Sequence, residues 1–231
     1  MTLTPLEIEA LLLSLRVGIV SVVLSIPFGI ACAWLLARHD FPGKALFDGI
    51  IHLPLVLPPV AIGFALLILF GRNGIIGSWL YSVFGVTFAF NWKGAALASA
   101  VVAFPLMVRA MRLSLEAVDE RLEAAAHSLG AGRWRVLFTI TLPLMMPGII
   151  SGCILAFARS VGEFGATITF VSNIPGQTRT LPIALYTLTQ VPGGDAAAWR
   201  LAILPVLLAL AALIVAEMIA RRVGRRVRGL D

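Results

Sequence analysis

An all-α integral membrane protein with five transmembrane helices is the fold class this sequence predicts. Three observations carry the prediction: 59% of the residues are hydrophobic, only 13% are charged, and five apolar runs reach the length that crosses a bilayer. A soluble globule of 231 residues needs a polar coat, and this chain, with a mean hydropathy of +0.97, lacks one.

Each helical residue rises about 1.5 Å and the hydrocarbon core is about 30 Å thick, so about 20 apolar residues make a span. Spans are predicted over residues 11–37, 49–71, 94–115, 144–164 and 198–220, forming one transmembrane domain over 1–231. The first is charge-free from Val17 to Ala37. It follows a segment with Glu7 and Glu9 but no basic residue before Arg16, the wrong charge for a cleaved leader, so it is expected to be retained. The second contains Pro54, Pro58 and Pro59, and the last two fall about 15 Å from one end, near mid-bilayer. The third starts at Gly94 and carries Arg109 and Arg112 at its far end. The fourth holds Gly148 and Gly152, a spacing that permits close helix approach. The fifth runs from Leu201 to Ala220, and the apolar piece Leu181 to Val191 is too short to cross and reads as a surface or re-entrant helix.

Charge sets the direction of these spans. With the N-terminus outside and the C-terminus cytoplasmic, the inner segments hold 12 of the 18 Lys and Arg residues, which satisfies the positive-inside rule. The run Arg221, Arg222, Arg225, Arg226 and Arg228 then reads as a stop-transfer anchor near anionic headgroups, while Trp34, Trp79, Trp92 and Trp199 read as interfacial anchors.

The same charges exclude several function classes. The arginines punctuate apolar runs instead of forming a basic stripe, which argues against nucleic acid. No aspartate lies inside a span, as a proton pump or intramembrane protease would need, and neither H-E-x-x-H nor G-x-S-x-G occurs. His39, His52 and His127 are isolated, so no metal site is expected, and Cys32 and Cys153 sit in apolar runs as small packing residues.

The longest inner segment, 116–143, joins spans three and four. Asp119, Glu120, Arg121 and Glu123 lead into Ala124, Ala125 and Ala126, a strong helix former, and Gly130 and Gly132 supply a turn. A second short helix is expected from Arg133 to Pro143. This loop resembles the EAA loop of bacterial ABC importer permeases: E-A-A, three residues, G, nine residues, then I-x-L-P. Ala125, Ala126, Gly130, Ile140, Leu142 and Pro143 match that spacing, while Ala124 holds the glutamate slot and Glu123 stands one position earlier.

The resemblance extends over nearly the whole chain. FPGK (41–44), HLPLVLPPV (52–60), FPLMVRA (104–110), LGAGRWRVLFTITLPL (129–144) and FARSVGEFGATITFVSN (157–173) are similar to the molybdate/sulfate permease family. It implies a type I ABC importer permease fold in the bacterial inner membrane, with the loop as a coupling helix docked on a separate ATPase. It also implies a second copy of the chain, two ATP-binding subunits on the cytoplasmic face, and an external oxyanion-binding protein. No cofactor is expected in this chain; without a phosphate-binding loop of its own, ATP and Mg belong to the partner. The compact chain and the ATITF continuation favour molybdate, with tungstate alongside, over sulfate or thiosulfate.

Two features suit a weakly polar anion path, which must release its dianion. The Pro58–Pro59 break offers N–H groups near Val60 and Ala61. At the outer end of span four, Arg159 and Glu163 stand four residues apart, with Ser160, Thr167 and Thr169 nearby.

Overall fold

The computed structural model describes residues 4–227, with side chains 216, 217 and 220 onward outside that description. The C-terminal basic run therefore lies outside the described side chains. All described elements are helices.

Helix α1, Pro5–Arg38, begins on a reciprocal cap in which the Glu7 N–H donates to Thr4 Oγ1 and the Thr4 N–H donates to a Glu7 carboxylate oxygen at 2.8 Å. The cap explains why the helix starts six residues before the predicted span. Glu7 also pairs with Arg200 at 3.0 Å.

The second span is broken where Pro58 and Pro59 remove backbone donors. Helix α2, Lys44–Val56, and helix α3, Pro59–Phe70, meet at 114°. Ile51 of α2 lies in a buried cluster with Leu36 of α1, whereas Ile62 and Leu66 of α3 lie in another with Leu13 and Val17. Leu36 and Leu13 are about 34 Å apart along α1 at 1.5 Å per residue, so the two halves sit at different heights on the bundle. A ten-residue helix outside the predicted spans, α4 (Ile75–Phe84), follows.

Helix α5, Trp92–Glu116, is the central post. Its first half is small and packs on α1 and α3 through Ala95, Ala98 and Val102. Its second half packs Met107, Met111 and Leu115 against Ala33 and Met145. Helix α6, Glu120–Ser128, leads through a glycine turn to α7, Arg133–Val136.

The expected stop at Pro143 does not occur. From α7 the chain passes through a π-helical turn, Leu137–Thr141, into α8, Leu142–Val161, as one 29-residue helix. Pro143 has no N–H for the Thr139 carbonyl, and the wider turn, closed by the Leu142 N–H on the Leu137 carbonyl, absorbs the missing bond. Gly148 and Gly152 of α8 pack on α5: a Cβ at Gly148 would lie 2.1 Å from that of Ser114, and one at Gly152 3.0 Å from the Met107 carbonyl. Gly148→Leu is expected to lower the thermal transition of the purified protein by about 5–10 °C, read by scanning calorimetry; an unchanged transition contradicts this packing.

The fourth span ends at Val161, not at residue 164, and after a break a seven-residue helix, α9 (Gly165–Val171), turns onto α3. Helix α10, Leu181–Thr189, is not a surface helix. Leu181 and Ile183 are fully buried, with Leu181 packed among Ala10 of α1 and Leu201 of the last helix, α11 (Asp195–Val227). The Leu181 N–H donates to Ser14 Oγ at 2.7 Å, which fixes the docking.

Candidate functional site

Two regions at opposite ends of α8 carry the polar chemistry. At the α6 end, Asp119 caps the helix by accepting from the Arg121 N–H, and Gly130 closes it at φ +83°, in the left-handed region that glycine adopts freely. Ala124 and Ala125 are exposed and Ala126 half-buried. The apolar surface of the peg lies beside them: Leu129 is 89% and Trp134 75% exposed, with the Trp134 ring stacked on Phe138. Ile140 and Leu142 are half-buried in the connection and Pro143 is exposed.

Glu123 faces inward. Its Oε1 accepts from Thr141 Oγ1 at 2.8 Å and from Arg38 Nη2 at 3.4 Å. The Arg38 guanidinium, its side chain only 9% exposed, also reaches Glu120 at 3.1 Å and the Val118 carbonyl at 3.2 Å. One fork at the end of α1 thus holds the start of α6 and, through Glu123, the π-turn before α8. Nearby, Arg112 bridges Asp48 of α2 at 3.1 Å and Glu116 at 2.7 Å. In the sequence, Arg38 is one inner positive charge among several and Thr141 carries no local signal. Their partners are 80 to 85 and 18 residues away, beyond any local pattern.

At the other end, the two predicted features come together. Arg159 Nη1 lies 2.7 Å from Glu163 Oε2, and the Glu163 side chain is 1% exposed. Glu163 Oε1 accepts from the Ala166 N–H at 2.9 Å, so the same carboxylate caps α9. Across from it, a Cβ at Gly165 would lie 2.8 Å from that of Pro59, and one at Gly63 2.4 Å from the Ala166 carbonyl. The proline break and the Glu163 segment are one contact. The Ala61 N–H is bonded to the Pro58 carbonyl at 2.9 Å, so this expected anion donor is already engaged. Ser160 Oγ sits 3.2 Å from Ser21 Oγ of α1, and Thr169 Oγ1 donates to the Gly165 carbonyl at 2.8 Å. Thr167, 1% exposed, has a hydroxyl with no hydrogen-bond partner among the described residues.

The chain matches the family model described as binding-protein-dependent transport system inner membrane component over residues 25–229. It is 62% identical, over 97% of its length and 100% of the relative's, to the molybdenum transport system permease protein ModB of Escherichia coli (strain K12). Identity to ModB of Haemophilus influenzae is 56%, over 96% of each chain. Its fold is similar, at TM-score 0.74 and 17% identity over 95% of this chain and 80% of the other, to a chain of a bacterial alginate ABC transporter solved in complex with an alginate pentasaccharide-bound periplasmic protein.

Proposed function

Because the chain belongs to the binding-protein-dependent transport system inner membrane component family, we propose that it is the permease subunit of an ABC importer carrying molybdate, with tungstate alongside, into bacteria. It is a multi-pass inner-membrane transport subunit and not an enzyme. The observation that carries the cargo is the full-length likeness to two molybdenum permeases.

In this reading the N-terminus is outside, and α6 with α7 forms a cytoplasmic peg. Leu129 and Trp134 seat in a groove of a partner ATPase, which binds ATP and Mg. Two copies of the chain, each with its ATPase, enclose the path between them, and an external binding protein delivers the oxyanion. Near the far end of α8, the junction of α3 and α9 is the candidate gate, with Pro58 and Pro59 opposite Glu163. The hydroxyls of Ser160, Thr167 and Thr169 supply weak polarity there. Glu163 neutralises Arg159, so no uncompensated cation holds a dianion at the site.

Reconstitution with the ATPase and binding protein tests the cargo. ATP-dependent molybdate uptake is expected to be competed by equimolar tungstate and to stay within about twofold under a roughly 100-fold excess of sulfate. Equal competition by sulfate would move the assignment to a sulfate importer.

A further inference from the structure

A groove of about 850 Å³ opens on the flank of the molecule between α1, α2 and α5. Its walls are apolar, with Leu24, Phe28, Ala96, Ala100 and Phe104 among them. The Ser21 hydroxyl within it is already bonded to the Gly18 carbonyl and to Ser160. From Trp92 to Phe104 the groove follows α5 for about 18 Å at 1.5 Å per residue, close to the roughly 15 Å depth of one leaflet.

The chemistry changes at one mouth. Trp92 and Lys93 line it, and the guanidinium carbon of Arg16 lies 3.7 Å from the centre of the Trp92 ring. Among the described residues, neither Arg16 nor Lys93 has a carboxylate partner. The indole is an aromatic partner and occupies none of the guanidinium's hydrogen-bond donors, so Arg16 still calls for an anion. Two cations and a tryptophan at the head of an apolar, leaflet-deep channel match an anionic headgroup above acyl chains.

We infer that this groove is a binding site for an anionic phospholipid, whose phosphate sits on Arg16 and Lys93 and whose acyl chains lie along α5 and α1. The two cations at the mouth call for an anion, and the phosphate supplies that opposite charge. The site stands apart from the peg and meets the Glu163 junction only through the Ser21–Ser160 hydrogen bond, and its occupancy does not depend on the cargo.

The test uses the permease–ATPase complex, delipidated in detergent and titrated with phosphatidylglycerol or phosphatidylethanolamine of identical acyl chains under native mass spectrometry. Phosphatidylglycerol is expected to bind about tenfold more tightly. The double variant Arg16→Gln/Lys93→Gln is expected to remove that preference while keeping acyl-dependent binding. Ala100→Trp, or Leu97→Trp should the first fail to assemble with the ATPase, is expected to expel both lipids. Preference retained in the double variant, or lipid retained with the groove blocked, overturns the assignment. So does high-yield cross-linking between two copies through Leu97→Cys, which would place a second copy in the groove.

Discussion

Replacing Arg38 by alanine is expected to lower ATP-driven uptake by about tenfold or more while the ATPase subunit still co-purifies. Charge-assisted hydrogen bonds contribute about 1.5–3 kcal/mol each, and Arg38 makes three contacts from a site that is 9% exposed. Without the fork, α6 keeps its exposed docking face but loses its attachment to α1. Arg38→Lys is expected to rescue little, since a point charge cannot reach Glu120, Glu123 and the Val118 carbonyl together. Trp134→Asp is the contrasting variant: it removes the docking face itself, so the ATPase should be lost on purification. Uptake and ATP hydrolysis that stay coupled in correctly inserted Arg38→Ala would show that the fork only stabilises the fold.

Glu163→Gln is expected to lower molybdate uptake about tenfold without a matching loss of inserted protein. The glutamine can still accept from the Ala166 N–H, so α9 keeps its cap, but Arg159 is left as a fixed cation at the junction. A dianion then leaves slowly. The double variant Arg159→Gln/Glu163→Gln removes both charges and is expected to recover most of the uptake, a non-additivity that a purely structural pair would not give. Glu163→Ala differs again: it also uncaps α9, and is expected to cost about 3 kcal/mol of stability, read as lost monodispersity on heating. Normal uptake in Glu163→Gln would end the gate reading.

Span existence was legible because lipid imposes a length and a hydropathy on the sequence. The Pro58–Pro59 break was legible because proline lacks an N–H. Other elements depended on tertiary contacts. The segment Gly165–Val171 is short, starts with glycine and holds two threonines, a poor helix by propensity; it forms because Glu163 caps it and α3 packs on it. At Pro143 the rule that proline ends a helix lost to a π-turn that no local pattern announces. In the candidate site, Gly130, the alanines and the Arg159–Glu163 spacing could be read in sequence. The contact of Pro59 with Gly165 and the reach of Arg38 to α6 could not, because they exist only once the helices are packed.

The unbroken helix from Arg133 to Val161 also has a mechanical meaning. It rests on α5 where Gly148 meets Ser114, and that contact divides it almost evenly. Trp134 lies about 21 Å to one side and Val161 about 20 Å to the other at 1.5 Å per residue. Were this helix to tilt as a rigid rod about that contact, Gly148 would be the fulcrum of a balanced lever. A sideways push of about 2 Å at the Trp134 end would return as a swing of about 2 Å, opposite in direction, beside Ser160. Such an arrangement neither amplifies nor damps the stroke of whatever drives it; it reverses it.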